Sequence, residues 1–437
     1  MDSGGPTPEP HPEPLSEQAT EPAAGEEHDD EHADGHDGEH VSVGLALSAG
    51  GAAADAWHAG VVNALHDMVG WDARSADLIL GTSAGSIVGL CLRAGIAPAD
   101  LYAARLGAPL SDEGRALFDR VTTPYSEDRR ERDWTDLRPQ SPTLVAAALW
   151  PPWQTRPLHA LTGLLPAGAR ASDALRQRMA ELHPEPWPQA PFWATAVRLS
   201  DGRRVVFGRD DLPATAAQAV QASCAVPARF EPVAVAGQRY IDGGLHSYTN
   251  ADLLGPPAFD LVVVSSAMSG AADWPKVAGA VSQALRKAGA AAAAGLGDSR
   301  SGRGDGSHDA SPEGARQRAW WAQSLDLAWD DARSVRAARR QWVDDKLRSE
   351  LDGLRRLGTT VLVAEPDADT VELADMGSNA ENPGDDRPAA TAPRGRGRDR
   401  GPAWRATLAE AADRTVRGLL AEHRNRRASE LLRRAAG

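Results

Sequence analysis

The chain has 437 residues, of which 42% are hydrophobic and 25% charged, and its formal net charge is −14. This composition is ordinary for a folded globular protein. The two cysteines, Cys91 and Cys224, are far apart and form neither a metal-ligand spacing nor a disulfide framework. The amino end has no secretory signal, and no apolar stretch reaches the roughly 18 residues of a membrane span, so we predict a cytoplasmic protein.

Charge is concentrated at the two ends of the chain. Residues 1–40 contain thirteen acidic residues and no Lys or Arg, whereas residues 393–437 contain twelve Arg against five acidic residues. The first segment has too little apolar surface to offset its chain entropy, so we predict a disordered acidic tail. Its five histidines leave weak metal binding open as an alternative to a simple solvated tail.

The first predicted elements alternate between strand and helix. Residues 41–47 form an apolar run typical of a buried strand, and a helical apolar pattern follows a stretch of small residues at 48–54. Residues 77–80 repeat the strand signal, and residues 86–94 repeat the helix signal. Strand, tight turn and helix in succession predict a parallel sheet with crossover helices.

The rest of the chain continues this α/β pattern. Further strands are predicted at residues 192–198, 203–208, 232–235, 238–241, 260–265 and 360–364, and further helices at 214–223 and 315–357. We therefore predict one α/β domain over residues 41–375, with a flexible insertion at 288–314. A linker over residues 376–403 and a basic C-terminal helix over 404–437 complete the predicted organisation.

The segment Gly81-Thr-Ser83-Ala-Gly85 fits the pattern G-x-S-x-G between a predicted strand and a predicted helix. In that setting a sharp turn exposes the serine hydroxyl, and glycines at the flanking positions avoid steric clashes. The amino end of the following helix favours negative charge at the site. This context favours Ser83 as a nucleophile over a simple small-residue turn before a buried helix.

A glycine-containing loop, residues 48–54, follows the first predicted strand. Its backbone NH groups at Gly50, Gly51 and Ala52 could form an oxyanion hole. Phosphate binding is the competing interpretation, but neither the dinucleotide fingerprint nor the Lys-Ser/Thr of a P-loop is present. A tight strand-to-helix turn without any catalytic role is the remaining alternative.

A third motif, Asp242-Gly243-Gly244, follows a predicted strand late in the chain. Asp and Gly are both common in tight turns, so a structural turn is the simple interpretation of Asp-Gly-Gly. A serine nucleophile nevertheless needs a base, and an aspartate followed by glycines can approach another loop closely.

Together these three motifs, in this order, resemble the patatin-like phospholipase family. The resemblance covers about residues 41–270 and extends to supporting stretches at residues 58–62, at 222–227 and at Asn250. It implies a three-layer α/β/α fold with a mainly parallel central sheet, and a Ser83–Asp242 dyad that cleaves a lipid or ester through an acyl-enzyme. It also implies an oxyanion hole at Gly50, Gly51 and Ala52, with no metal or cofactor. The motif glycines Gly81, Gly85, Gly243 and Gly244 would shape the two turns.

One feature departs from the family pattern. The family's loop usually reads G-G-G-x-R/K-G, whereas this chain has Ala54 near the place of the basic residue. This difference motivates an alternative function, a catalytically weak or inactive lipid-binding or regulatory protein on the same scaffold. A conventional Ser-His-acid esterase is a further alternative, with His246 or His58 as the base.

The expected partners follow from substrate class and charge. A lipid or ester substrate is expected, and the arginine-rich C-terminus could contact an anionic membrane surface peripherally. The simpler interpretation of that segment is a helix that packs its leucines on the core and leaves its arginines in solvent. We expect no nucleic-acid partner, because the net charge is negative and the arginine cluster has one nearby aromatic residue, Trp404. The lipid class and oligomeric state stay open.

Overall fold

The computed structural model describes residues 40–124, 139–149, 162–270, 333–377 and 402–437. The predicted acidic tail, the predicted insertion at residues 288–314 and residues 378–401 of the predicted linker lie outside these described ranges. So do residues 315–332, the first part of the helix predicted over residues 315–357.

A mixed sheet forms the centre of the fold. In the part of the chain that is described, eight strands pair in the order β5-β6-β3-β2-β1-β7-β8, and β4 pairs with β3. The strands are β1 Val43–Leu47, β2 Leu78–Thr82, β3 Phe192–Arg198, β4 Arg204–Phe207, β5 Val233–Val235, β6 Gln238–Asp242, β7 Leu261–Ser265 and β8 Thr360–Ala364. The five strands β3, β2, β1, β7 and β8 are mutually parallel, whereas β4, β5 and β6 pair antiparallel. Every residue of β1, β2 and β7 is buried, as expected for parallel strands covered on both faces.

Helices cover both faces of this sheet. They are α1 Gly51–Val69, α2 Ala84–Arg93, α3 Pro98–Leu106, α4 Asp112–Phe118, α5 Pro142–Leu149, α6 Asp173–Leu182, α7 Ala216–Ser223, α8 Arg333–Arg356, α9 Ala368–Gly377, α10 Pro402–Ala421 and α11 Arg426–Ala435. None of the helical segments in the described ranges is long and apolar enough to cross a bilayer.

The alternation of side chains along β1 shows the two layers of core. Leu45 and Leu47 point into one apolar cluster with residues of α1, α2, α7 and α10. Ala46 points to the opposite face, where it joins a second cluster with Leu347 and Leu351 of α8. A sheet between two helical layers is the predicted three-layer α/β/α architecture, which is therefore confirmed.

The C-terminal region differs from the single helix predicted over residues 404–437. Helix α10 ends at Ala421, a short 3-10 turn spans His423–Asn425, and α11 follows. The break has a local cause, because Glu422 is in an extended conformation and the Asn425 side chain donates to the Leu419 carbonyl. The prediction of one continuous helix was therefore wrong. Both helices still bury leucines against the core: Leu408, Leu420 and Leu432.

Candidate active site

Ser83 occupies the turn between β2 and α2. Its backbone has φ 52° and ψ −121°, a region that non-glycine residues rarely adopt. The turn is held from both sides, because the Ser83 amide donates to the Ser223 hydroxyl at 2.8 Å and the Ser83 carbonyl accepts from the Ser86 amide at 2.8 Å. A strained serine held between a strand and a helix has the geometry of a nucleophile elbow.

The glycines of this elbow allow two close backbone approaches. A Cβ at Gly81 would lie 2.4 Å from the Ser86 Cα, and a Cβ at Gly85 would lie 2.0 Å from the Leu47 carbonyl oxygen. Real Cβ atoms do not make contacts this short, so both positions require glycine. The second contact also brings the elbow against the end of β1, where the glycine-containing loop begins.

Strand register explains how Asp242 reaches Ser83. On β3, Thr195 pairs with Thr82, the last residue of β2, and the next residue, Ala196, pairs with Asp242, the last residue of β6. β4 pairs with residues 194–197 of β3, a range that includes residues paired with β2 and residues paired with β6. β4 therefore occupies one edge of β3, and β2 and β6 share the other edge. β2 and β6 run in opposite directions along this edge, and their last residues pair with adjacent residues of β3. This arrangement places Ser83 beside Asp242.

The two side chains are in contact. The Ser83 hydroxyl lies within hydrogen-bonding reach of the Asp242 carboxylate, and both residues are 6% exposed. The other main interaction of Asp242 is a 2.7 Å hydrogen bond that its Oδ1 accepts from the Gly244 amide. Burial raises the pKa of Asp242 to about 6, against the lowering effects of these two hydrogen bonds. Above that pH the carboxylate is ionised and can accept the serine proton.

The glycine-containing loop presents backbone donors. Gly50, with φ 149°, precedes the first residue of α1, Gly51. Within the described parts of the chain, no hydrogen-bond acceptor contacts the amides of Gly50 and Gly51. Ala52, the third predicted donor, makes an interaction of its own, and its role in an oxyanion hole stays a prediction. The two glycine amides lie at the positive end of the 19-residue helix α1, which favours an anion there.

The Asp-Gly-Gly turn packs directly against this loop. The Ala49 amide donates to the Tyr248 carbonyl at 2.8 Å, and a Cβ at Gly244 would lie 3.2 Å from the Ala49 Cβ. A Cβ at Gly243 would lie 2.4 Å from the Thr195 Oγ1, so the turn also sits tightly on β3. The three sequence motifs therefore meet at the carboxyl edge of the parallel strands.

Buried polar side chains link the ends of β2 and β3 to Asn250 at this edge of the sheet. The side-chain amide nitrogen of Asn250 donates to the Ser247 carbonyl at 2.6 Å, to Thr82 Oγ1 at 3.1 Å and to Thr195 Oγ1 at 3.3 Å. The sequence motifs did not reveal these roles for Ser223, Thr82 and Thr195, because each acts through partners more than 100 positions away. Polar residues at the ends of apolar strands are the signal that could have indicated them.

The two histidines considered as alternative bases lie in different surroundings. Both ring nitrogens of the buried His58 have partners, since Nε2 lies 2.8 Å from the Ser48 carbonyl oxygen and Nδ1 lies 2.6 Å from Ser265 Oγ. Burial lowers the pKa of His58 to about 4. His246 is half-buried and lies near Asp252, a carboxyl whose pKa is lowered mainly by its hydrogen bonds with Arg204. Ser83, in contrast, contacts Asp242.

No basic side chain belongs to the loop itself. Ala54 is fully buried at the start of α1. The next residue, Asp55, accepts two hydrogen bonds from Arg105 of α3, at 2.7 Å and 2.6 Å. This pair ties α1 to α3, and both side chains are mostly buried. Among the described residues, no cluster of His, Cys, Asp and Glu could hold a metal ion.

Comparisons with known proteins find a similar solved structure and a matching family model. The solved structure of VipD from Legionella pneumophila is similar at 15% identity, covering 87% of this chain and 67% of that chain, with a TM-score of 0.34. A family model described as patatin-like phospholipase matches residues 45–254, a range that includes Gly50, Ser83 and Asp242. Through residues 45–254, the chain belongs to the patatin-like phospholipase family.

Proposed function

We propose that this protein is a serine lipid acyl hydrolase in which Ser83 is the nucleophile and Asp242 the general base. The observation that carries the proposal is the contact of the Ser83 hydroxyl with the buried Asp242 carboxylate, at a strained strand-to-helix turn. Family membership supports a lipid ester as the substrate class.

In the acylation step, the Ser83 Oγ attacks the ester carbonyl carbon while Asp242 accepts the hydroxyl proton. The carbonyl oxygen becomes an oxyanion, which the amides of Gly50 and Gly51 stabilise. The intermediate then collapses, the ester C–O bond breaks, and Asp242 returns the proton to the leaving alcohol. The acyl group stays on Ser83.

In the deacylation step, water replaces the alcohol. Asp242 takes a proton from the water as its oxygen attacks the acyl carbon, and the same two amides hold the second oxyanion. Collapse releases the carboxylic acid, and the proton on Asp242 returns to the Ser83 oxygen. The chain's own residues supply every group that this route needs.

Hydrolysis of a lipid panel tests the proposal. The panel contains phospholipid, galactolipid, neutral glyceride and a small soluble ester, and the wild type should release carboxylic acid from at least one of them. Ser83→Ala and Asp242→Asn should each lower kcat by about 10³-fold or more, as for other nucleophile and base deletions. Asp112→Asn, at a fully exposed aspartate of α4, is the matched control and should keep wild-type rates. Wild-type turnover in Ser83→Ala would refute the proposal.

A second candidate function is lipid binding without turnover. The observation that favours it is the buried alanine at position 54, where the family usually has a basic residue. In that case the wild type would bind lipid micelles but release no product from any member of the panel. Measurable turnover that depends on Ser83 excludes this candidate.

The remaining candidate, a Ser-His-acid esterase, is tested on the same panel. Replacing His246 or His58 with glutamine would then abolish turnover as completely as replacing Ser83. We expect His246→Gln to stay within about 3-fold of the wild type, because the Ser83 hydroxyl already has Asp242 as its partner.

A further inference from the structure

His58 connects three elements beneath the glycine-containing loop. It lies in the second turn of α1 and is fully buried. One ring nitrogen reaches the carbonyl of Ser48, in the loop, and the other reaches the hydroxyl of Ser265, the last residue of β7. The side chain therefore joins α1, the loop and the central sheet at a single point.

The two partners fix the form of the imidazole ring. A carbonyl oxygen can only accept, so Nε2 must carry a hydrogen and donate to Ser48. In the neutral ring Nδ1 is then an acceptor, and it receives the hydroxyl hydrogen of Ser265. Both nitrogens are used in this way, so neither is available to take a proton from Ser83.

Two further hydrogen bonds attach Ser48 of the same loop to the end of β7 and the residues after it. The Ser48 amide donates to the Ser265 carbonyl at 3.1 Å, and the Ala267 amide donates to the Ser48 hydroxyl at 3.2 Å. These bonds tie the loop to the sheet, whereas the His58 bond ties it to α1. The amides of Gly50 and Gly51 lie where the loop becomes α1. The direction in which they point therefore depends on the position of the loop relative to both α1 and the sheet.

We propose that His58 is a positioning residue that holds the Gly50 and Gly51 amides in line with the ester oxygen by bonding Ser48 and Ser265 at once. This inference rests on the proposed hydrolase function. Oxyanion donors act mainly on the transition state, so a displaced loop should lower kcat and leave substrate binding almost unchanged.

Two replacements of His58 and one control separate positioning from general stabilisation. His58→Leu removes both bonds and should lower kcat by about 10–100-fold with KM within about 2-fold, a loss typical of misplaced donors. His58→Gln keeps an NH donor that can reach Ser48, so it should recover part of the loss and keep a kcat about 3–10-fold below that of the wild type. His66→Leu, at a histidine on the same helix two turns away, should keep the wild-type kcat.

The pH profile is the second measurement. The low-pH limit of kcat/KM should stay near that of the wild type in His58→Gln, because the ionising group of the proposed mechanism is Asp242 rather than His58. A general-base role for His58 would instead make glutamine as damaging as leucine and would remove that limit.

The outcomes distinguish this inference from the proposed function. A wild type without turnover on any ester defeats the proposed hydrolase function itself. An active wild type, together with a folded His58→Leu variant that has wild-type kcat, overturns only the positioning role. If His58→Leu does not fold, His58→Gln decides the question. A kcat about 3–10-fold below wild type at unchanged KM supports the inference, and an unaltered kcat overturns it.

Discussion

Under the proposed mechanism, burial of the Asp242 carboxylate next to Ser83 should make activity depend on pH. The raised pKa of about 6 means that the base is protonated, and cannot accept the serine hydrogen, in mildly acidic solution. We therefore expect kcat/KM for a neutral soluble ester to be constant above about pH 7 and to fall toward tenfold per pH unit below the pKa. A rate profile from pH 4.5 to 8.5 checks this, and a flat profile down to pH 4.5 would contradict the assignment of Asp242.

The same buried charge should reduce the stability of the fold. The pKa of Asp242 is raised from 3.8 to about 6, so the folded state binds this proton more tightly than the unfolded state. The stabilising contribution of this proton to the free energy of unfolding is complete below the pKa of Asp242 in the unfolded state, and it is lost as the pH rises through about 6. At pH 8 Asp242→Asn should therefore raise the free energy of unfolding, by about 1–3 kcal/mol at 1.36 kcal/mol per pKa unit.

Chemical denaturation at pH 8 and at pH 4 measures this effect. The gain from Asp242→Asn should be present at pH 8 and should shrink at pH 4, where the wild-type carboxyl is already protonated. Lower stability of the variant at pH 8 would show that hydrogen bonds of the carboxylate, rather than its desolvation, dominate its contribution.

At the scale of single residues, local signals revealed part of the site. Ser83 and Asp242 could be located because each follows an apolar strand and is flanked by glycines, which is a short-range pattern. Their roles stay predictions. The buried partners Ser223 and Asn250 were harder to assign, since their hydrogen bonds to Ser83 and Thr82 depend on tertiary contacts.

At the scale of elements, the close packing of α1 on α10 is a determinant of stability. A Cβ at Gly60 would lie 2.1 Å from the Ala409 carbonyl oxygen, so the two helices approach with almost no side chain between them. Gly60→Ala should force the helices apart and lower the free energy of unfolding by about 1–3 kcal/mol.

Gly418→Ala in α10 is the matched control for that substitution. A Cβ at Gly418 would meet nothing within 4 Å, so this change should be neutral or stabilising by up to about 1 kcal/mol through helix propensity. Thermal unfolding of both variants gives the comparison. Equal effects of the two substitutions would show that the close approach of α1 and α10 is not what Gly60 provides.

The agreement between predicted and observed elements varies with the strength of the local pattern. Strands β3 and β8 match their predicted bounds, because apolar β-branched runs bounded by turn residues are a strong signal. The terminal helix was predicted as one element, since its leucines keep a helical period across the break. Glu422 leaves helical conformation by a large change in ψ, and its side chain carries no breaker signal.

At the scale of the whole molecule, the arginine-rich end of the chain lies far from the site. Asp260 precedes β7 at the amino edge of the parallel strands, and its pKa is lowered mainly by hydrogen bonds from Ser42 and to a smaller extent by the charge of Arg434 in α11. Gly70, at the far end of α1, has Ala436 beside it. Helix α1 has 19 residues, so it separates α11 from the glycine-containing loop by about 28 Å at 1.5 Å per residue.

This separation gives a prediction for the arginines of α11. Replacement of Arg426, Arg427, Arg433 and Arg434, all exposed, with glutamine should leave kcat for a soluble ester unchanged, because salt screens charges beyond about 8 Å. If the proposed contact with anionic membranes uses this surface, the variant should also sediment less with anionic vesicles. A slower rate on the soluble ester would contradict the distance argument.

The three-layer fold could be predicted from the sequence because strand and helix signals alternate through most of the domain. The pairing of β6 with β3 could not, since antiparallel return of a strand beside the end of β2 depends on long-range packing. That pairing is what brings Asp242 to Ser83. The order of motifs along the chain thus indicated a dyad, whereas its geometry required the tertiary structure.

Covalent labelling of the nucleophile tests the central claim most directly. An alkyl fluorophosphonate should add to the wild type once, with loss of fluoride, and peptide mass spectrometry should locate the adduct on Ser83. The adduct should be absent in Ser83→Ala and should form much more slowly in Asp242→Asn. An adduct on a different serine, or undiminished labelling of Ser83→Ala, would contradict the account.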